Sequence, residues 1–308
     1  MSKDSPSNLA HSIHQRLLNM AKRTDRPFNE LLQYYAMERF LYRLSRSAHA
    51  GKFLLKGALL FTAWRAPMYR PTRDIDLLGR MSNDLDSIVA AFSDVCRQEV
   101  EGDGLTFDEG RVSAERITED ADYQGVRVFI HSRLGNARIA LHIDIGFDDV
   151  VVPAPSDLDY PTILDLPAPR LRGYSRESVV AEKFEAMVKL GELNSRMKDF
   201  HDLWFLARNF DFDGAVLLQA IAATFSHRGT PPQAQPVALT AQFSRHDDKR
   251  RQWAAFLHRG QPSGMPDDFA QIVAEIAAFL LPVTQTLVVG KPFGAIWTPP
   301  GPWQQLPP

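Results

Sequence analysis

The stretch Arg73-Asp74-Ile75-Asp76-Leu77-Leu78 decides how this chain is interpreted. Because side chains alternate across a β-strand, Ile75 and Leu77 would share one face and the two aspartates the other. Neighbouring carboxylates on one face repel each other unless a cation compensates them. Mg²⁺ suits this position because it takes oxygen ligands and is often shared between one or two carboxylates and substrate phosphates. The alternative is an exposed strand whose acids pair with Arg70 or Arg73.

The composition is that of an ordinary globular protein: 308 residues, 44% hydrophobic and 23% charged, with a net charge of -2. This charge gives no global sign of nucleic-acid binding. Basic residues outnumber acids between residues 16 and 52, which predicts either a phosphate-facing surface or a plain solvated face. The single Cys96 excludes an intramolecular disulfide framework and a cysteine metal cluster. Without a signal peptide or an apolar run of spanning length, a cytoplasmic location is expected.

Hydrophobic periodicity and the placement of Gly and Pro divide the chain into a mixed first half and a helical second half. The predicted strands, with the later ones extending the first sheet as antiparallel neighbours, cover 53–55, 74–78, 112–117, 126–130 and 138–145. The predicted helices cover 9–20, 28–44, 58–65, 84–100, 175–191, 197–209, 215–225 and 269–280. A catalytic domain with N-terminal helices is expected over 1–152, a proline-rich connection over 153–174, a helical domain completing the active-site cleft over 175–285, and an extended tail over 286–308.

A third acid joins the pair on the predicted sheet. In Ala140-Leu141-His142-Ile143-Asp144-Ile145 the apolar residues alternate with His142 and Asp144, which therefore share the polar face. Three acids are the minimum that could hold two divalent cations for phosphoryl or nucleotidyl transfer. Upstream, Gly57 would allow a close backbone approach to phosphates at the start of a helix.

Several motifs in a fixed order carry a resemblance. They are Leu55-Lys56-Gly57-Ala58-Leu59, Arg70 to Leu77, His142 to Phe147, Ala181-Glu182-Lys183-Phe184-Glu185, and Arg196 to Leu203. Together they resemble the AbiEii/AbiGii toxin family of nucleotidyltransferases, within the DNA polymerase β-like superfamily, over about residues 28 to 225. The resemblance implies an α+β fold, with a polymerase β-like mixed sheet and flanking helices followed by a mainly helical C-terminal domain.

The resemblance also implies an activity and its partners. Members are typically toxins of toxin–antitoxin or phage-abortive (abortive infection) systems, with an antitoxin encoded alongside. They transfer a nucleotide from an NTP with Mg²⁺ or Mn²⁺, and the 3′ end of tRNA is the acceptor for some members. The predicted RNA cleft is lined by the basic N-terminal helices and by Arg170, Arg172 and Arg176. The alternatives are transfer to a protein or small-molecule hydroxyl, and a non-catalytic nucleotide- or RNA-binding protein on the same fold.

The site residues follow from the matched motifs. Asp74, Asp76 and Asp144 match the metal ligands, and the expected catalytic set adds Lys183 and Asp202. The expected NTP-binding set is Lys56, Gly57, Ala58, Arg73 and Lys183. One departure is that many relatives have a second glycine followed by Thr or Ser where this chain has Ala58 and Leu59, so a hydroxyl contact to the phosphates is missing.

The helical motifs have simpler alternatives. From the residues alone, Lys183 would be a surface lysine beside the apolar face of its helix. Lys198 and Asp202 would form an i,i+4 surface pair. Asp199 is expected to orient Lys183 or Arg196, and His201 to be structural.

Overall fold

The computed structural model describes residues 6–64, 72–120, 123–260 and 264–306, which form two compact units. The first unit runs to Asp148 and also includes Ser156–Gly173. The second unit contains Asp149–Pro155 and the chain from Tyr174 onward. Arg70 and Pro71, at the start of the second motif, lie outside the described residues.

The first unit is an α+β structure built on one sheet. Its helices are α1 (Pro6–Thr24), α2 (Phe28–Arg46), α3 (Leu59–Ala63) and α4 (Leu85–Arg97). Its strands are β1 (Phe53–Lys56), β2 (Asp74–Gly79), β3 (Leu105–Phe107), β4 (Ser113–Asp120), β5 (Tyr123–Leu134), β6 (Ala137–Phe147), β7 (Ser156–Asp159) and β8 (Arg170–Gly173).

The sheet is mixed, as predicted. Its strand order is β3-β5-β6-β2-β1-β8-β7, with β4 paired to β5 beside β3. The β2–β6 and β1–β8 pairs are parallel, and the other pairs are antiparallel. The strands predicted after residue 112 do extend the sheet, and they bring β6 directly against β2.

The core of this unit lies on one face of the sheet. The inward residues of β2, β5 and β6 are almost fully buried: Ile75, Leu77, Val126, Val128, Leu141, Ile143 and Ile145. Phe40 of α2 stacks on Phe92 of α4 with ring centroids 5.9 Å apart, and Phe53 of β1 meets Phe92 edge-on. Asp84 caps the N-terminus of α4, where its side chain accepts a hydrogen bond from Ser87 N, so the predicted start at residue 84 is confirmed.

Two arginines of the basic N-terminal stretch are internal. Arg43 is buried and donates to both oxygens of Asp103 at 2.6 and 3.1 Å. Arg39 is equally buried, with its Nε 2.9 Å from Glu38 and a hydrogen bond to Pro167 O. These charges therefore do not contribute to a phosphate-facing surface, although Arg16, Lys22 and Arg23 of α1 are exposed.

The proline-rich segment is more than a connection. Strands β7 and β8 form an antiparallel hairpin, and β8 lies parallel to β1 in the first sheet. Ile163 N donates to Glu38, which together with the Arg39 bond to Pro167 ties the hairpin loop to α2. Pro residues flank these short strands, so neither strand forms the long alternating pattern by which strands are predicted from sequence.

The second unit is mainly helical. Its helices are α5 (Arg176–Leu190), α6 (Met197–Asn209), α7 (Gly214–His227), α8 (Ala241–Arg245), α9 (Asp247–Gly260) and α10 (Phe269–Val288). Ser175 caps α5 by accepting from Ser178 N, as predicted. Helices α8 and α9 escape prediction because they are short or strongly charged, and α10 continues past 280 with Pro282 inside it.

The C-terminal tail is not simply extended over the surface. Strands β9 (Phe212–Asp213), β10 (Ala295–Trp297) and β11 (Trp303–Gln305) form a small antiparallel sheet. Trp297 and Trp303 both pack on Phe279 of α10, and the Trp297 indole donates to Ala207 O. Burial of Trp297 and the stacking of the half-buried Trp303 on Phe279 explain why this tail is held in place.

Helix α10 is the one described helix that is long and apolar enough to cross a membrane by length and composition. One such helix is weak evidence, because the core helix of a globular unit passes the same test. Here α10 contacts α6, α7 and α8, and residues such as Ile272, Ile276 and Leu280 are fully buried against them.

Candidate active site

The acids of β2 and β6 lie side by side on the face of the sheet opposite the core. In the parallel β2–β6 pair, Asp74 is opposite His142 and Asp76 is opposite Asp144. The alternating apolar residues of both strands are buried, whereas the acids and His142 are partly exposed. The predicted shared face is thus confirmed, and the register, which the sequence leaves undefined, sets Asp76 against Asp144.

A row of charged residues crosses five strands at this level, and we call it the charged row. The register of β4–β5, β5–β6, β6–β2 and β2–β1 aligns Glu115, Arg127, Asp144, Asp76 and Lys56 in that order. Two acids stand together at its centre, with a cation on the far side of each. This pattern reduces the repulsion that two neighbouring carboxylates would otherwise impose.

Arg127 holds the third acid in a bidentate ion pair. Its Nε donates to Asp144 Oδ1 and its terminal nitrogen to Oδ2, both at 2.7 Å. The hydrogen bonds that Arg127 donates to Asp144 raise the pKa of the Arg127 guanidinium, and the charges of Asp144, Asp74 and Glu115 add to the effect. Sequence reasoning missed Arg127. Its alternation between Val126 and Val128 indicates the face, but only the strand register reveals its partner.

His142 lies beside Asp74 in the next row of the sheet. Its Nδ1 is 3.5 Å from Asp74 Oδ1, and its ring meets that of Phe129 edge-on at 5.3 Å between centroids. Both Asp74 and His142 keep about two fifths of their side-chain surface exposed. Their carboxylate and imidazole are therefore open to a ligand approaching this face.

Gly57 lies against the Asp76 carboxylate. Its φ is +71°, a conformation that favours glycine, and a Cβ at this position would lie 2.0 Å from Asp76 Oδ2. The turn Gly57-Ala58 leads directly into α3, and Lys56 lies opposite Asp76 across the β1–β2 pair. The expected phosphate-binding turn and the acid pair are thus brought together, because only a glycine lets the carboxylate approach this closely.

The N-terminal end of β2 is anchored by α2. The Gln33 amide donates to Ala140 O of β6 at 3.0 Å and to Arg73 O at 3.4 Å, while Thr72 N donates to the Tyr34 hydroxyl. The Arg73 side chain itself is exposed at the edge of the acidic face. Helix α2 therefore fixes the position of the aspartates although none of its own residues joins them.

The donor set fits one divalent cation better than two. Within the described residues, no three His, Cys, Asp or Glu side chains are grouped so as to hold a metal ion by themselves. Asp74 and Asp76 form a carboxylate pair of the kind that Mg²⁺ completes with substrate phosphates and water. Both oxygens of Asp144, by contrast, already accept from Arg127.

The second unit contains a different cluster around Lys183 of α5. The Lys183 ammonium lies 2.8 Å from both Asp199 Oδ1 and Asp202 Oδ2 of α6, and Arg196 Nε lies 2.7 Å from Asp199 Oδ2. Both carboxylates are fully buried. Burial alone would oppose ionisation of Asp199, but the charges of Lys183 and Arg196 hold its pKa below the usual value. Asp199 lies between the two cations that it was predicted to orient.

The surroundings of Asp202 distinguish its two predicted partners. Asp202 is buried and ion-paired with Lys183, whereas Lys198 is exposed. His201 is buried too, with Nδ1 3.2 Å from Asp202 Oδ1 and its ring near Phe256. Lys183 is therefore held by the interior of the unit, instead of extending from the surface as the simpler interpretation has it.

The glutamates of the Lys183 motif also have partners. Arg228, just beyond α7, donates to Glu185 and to Asp149, each at 2.9 Å, and lies 3.6 Å from Glu182. Thr230 donates a further hydrogen bond to Glu185. This buried network ties α5 to the segment 149–155 and sets the position of the turn of helix that carries Lys183. No pattern in the sequence points to this role of Arg228.

Acids on the open face of a mixed sheet, packed against a left-handed glycine, define a candidate phosphoryl-transfer site in the first unit. The family of AbiEii nucleotidyl transferase toxins, of the type IV toxin–antitoxin systems, matches residues 39–275. The chain belongs to this AbiEii family, and the resemblance drawn from its motifs is confirmed. Membership supports a toxin-type nucleotidyltransferase with an NTP substrate, a divalent metal in general and an antitoxin partner.

Two solved structures are similar to this chain. The crystal structure of JHP933 from Helicobacter pylori has a TM-score of 0.47 and 13% identity, covering 85% of this chain and 93% of that one. A structure described as a proposed nucleotidyltransferase from H. pylori has a TM-score of 0.45 and 13% identity, covering 85% and 96%. No curated protein matches the chain.

Proposed function

We propose that this chain transfers a nucleotide from an NTP to the 3′ end of tRNA in the cytoplasm. The observation that carries the proposal is the contact between Gly57 and the Asp76 carboxylate beside Asp74, in a chain of the AbiEii family. This contact places a left-handed glycine turn next to two partly exposed carboxylates, which suits a site for a nucleotide phosphate and a cation. Exposed Arg170 and Arg172 of β8, and Arg16, Lys22 and Arg23 of α1, supply positive charge suited to RNA phosphates.

The reaction is an in-line displacement at the α-phosphorus. The oxygen of the acceptor hydroxyl forms a bond to the α-phosphorus as the bond to the bridging β-phosphate oxygen breaks. Pyrophosphate leaves and the hydroxyl proton passes to solvent. Asp74 and Asp76 would hold a divalent cation, Mg²⁺ or Mn²⁺, which would supply charge neutralisation and lower the pKa of the acceptor hydroxyl.

The remaining residues bind and orient. Gly57 and Ala58 present backbone amides to the triphosphate, with the side chains of Lys56 and Arg73 adding positive charge. The family resemblance implies that Lys183 neutralises charge on the triphosphate. The buried carboxylates of Asp199 and Asp202 fix the direction of its ammonium group. Asp202 acts in this proposal through Lys183, since it is buried beneath it.

The test is label transfer from each α-³²P NTP to purified tRNA with Mg²⁺. We expect one NTP to label the tRNA, the product to disappear with ribonuclease, and Asp76→Ala to abolish the label. Asp165→Asn, which removes an exposed acid of the same unit, is the control that should keep full transfer. Full transfer by Asp76→Ala would refute the mechanism, and a ribonuclease-resistant product would shift the acceptor to a protein.

A further inference from the structure

Arg127 neutralises Asp144 in a geometry that leaves little of the carboxylate accessible to a metal ion. Two charge-assisted hydrogen bonds of 2.7 Å occupy both carboxylate oxygens, and only 12% of the Asp144 side chain is exposed. A fork-to-fork arginine–carboxylate pair is among the stronger polar contacts in proteins. A cation bound by Asp144 would have to compete with this guanidinium for a carboxylate that is largely buried.

The charged row explains why a guanidinium lies next to Asp144. Asp144 and Asp76 are direct neighbours in the parallel β2–β6 pair, so their charges repel each other unless positive charge lies close by. Arg127 supplies that charge from β5, on the side of Asp144 away from Asp76. One divalent cation at Asp74 and Asp76 would then complete the balance on the other side, where Lys56 lies opposite Asp76.

We propose that Arg127 takes the place of a second divalent cation at Asp144, so that the site holds one divalent cation per bound NTP. The inference rests on the proposed function, because it assigns the charges of that same site. Arg127 is then a positioning residue that acts through Asp144. Arg127 holds the carboxylate in place beside Asp76, and Asp144 itself ligates no metal.

The test counts Mn²⁺ bound to the full chain by electron paramagnetic resonance, with α,β-methylene nucleoside triphosphates that cannot release pyrophosphate. We expect one Mn²⁺ per wild-type chain, one with Asp144→Asn, and two with Arg127→Met, where the freed carboxylate gains a ligand role. Arg133→Met is the matched control, since Arg133 is exposed two register positions beyond His131 on the same face of β5. Two Mn²⁺ per wild-type chain, or the loss of Mn²⁺ in Asp144→Asn, would overturn the inference.

A second measurement needs neither metal nor catalysis. Thermal unfolding without divalent cations should show that Arg127→Met and Asp144→Asn each lower Tm and that the double variant unfolds no lower than the worse single variant. Shifts that simply add would show that the two residues are uncoupled and would overturn the inference. A chain that binds one Mn²⁺ but transfers no nucleotide would keep the inference and refute the proposed function.

Discussion

The two charged clusters of this protein differ in how their charges are balanced. The acids of the first unit lie on a partly open sheet face, where Asp74 keeps 41% of its side-chain surface and has a histidine as its near neighbour. Around Lys183, by contrast, two buried carboxylates meet two cations, Lys183 and Arg196. An open acid pair is suited to taking up a cation, whereas a closed, balanced cluster is suited to holding one side chain still.

The sharpest way to break this comparison is to remove an open acid. Asp74→Asn should lower nucleotidyl transfer by about 10⁴-fold, roughly 5.4 kcal/mol of transition-state stabilisation, because the cation loses a ligand. It should change the free energy of unfolding by less than about 1 kcal/mol, since a half-exposed ion pair contributes little to stability. Label transfer to tRNA and urea unfolding measure the two effects. A large loss of stability with intact transfer would make Asp74 structural.

The closed cluster should respond in the opposite way. Lys183→Met leaves Asp199 and Asp202 buried with Arg196 as the remaining partner among these four residues, and we expect a loss of about 4 kcal/mol in the free energy of unfolding. Adding Asp202→Asn should recover much of this stability without recovering transfer, because the lysine is still absent. Urea denaturation of the three proteins measures the difference. If Lys183→Met unfolds like the wild type, the lysine does not balance these acids.

A buried acid with a single cation sharpens the contrast further. Burial raises the pKa of Glu38 from 4.5 to about 7 in spite of the neighbouring Arg39 charge. Asp199, which has two cations, stays ionised. Because the folded pKa of Glu38 lies above its unfolded value, its contribution to stability is complete below about pH 4.5 and is lost as pH rises through 7. The free energy of unfolding should therefore fall by about 3 kcal/mol between pH 5 and pH 8.

Denaturation in urea at each pH unit across that window measures the slope. Glu38→Gln should flatten it, and Glu99→Gln, which changes an exposed acid, should leave it as in the wild type. A wild-type profile that is flat from pH 5 to 8 would contradict the expected titration of Glu38. The contribution of Asp199 to the free energy of unfolding depends on pH in the opposite sense. It is lost only as pH falls below the usual pKa of an aspartate, because the folded pKa of Asp199 is lowered.

The sequence predicts the acidic face but not its partners. Alternation in Asp74-Ile75-Asp76 and in Leu141 to Ile145 is a local property of each strand, so it identifies the faces correctly. The pairing of Asp144 with Arg127 depends on the β5–β6 register, which long-range packing sets. Likewise α6 is predicted with its true bounds, yet the bonds from Lys183 to two of its acids depend on how α5 packs against it.

Short elements mark the other limit of prediction. The strands β7 and β8 are four residues each, lie among prolines and gain their stability from β1 and α2 instead of from their own pattern. The C-terminal strands are likewise three residues each and depend on tryptophans that reach Phe279. Local propensity is too weak to predict such elements, because tertiary contacts supply most of their stability.

The smallest expected effect comes from changing the backbone turn at Gly57, which lies beside the open acidic face. Gly57→Ala would place a methyl group where Asp76 Oδ2 now lies and would hold a non-glycine residue at a φ of +71°. We expect a loss of about 2 kcal/mol in the free energy of unfolding and about a 30-fold loss of transfer, since the displaced carboxylate would leave the position it shares with Asp74. Gly51→Ala is the matched control, because a Cβ there meets nothing within 4 Å. Equal transfer by both variants would show that the contact between Gly57 and Asp76 is incidental to the chemistry.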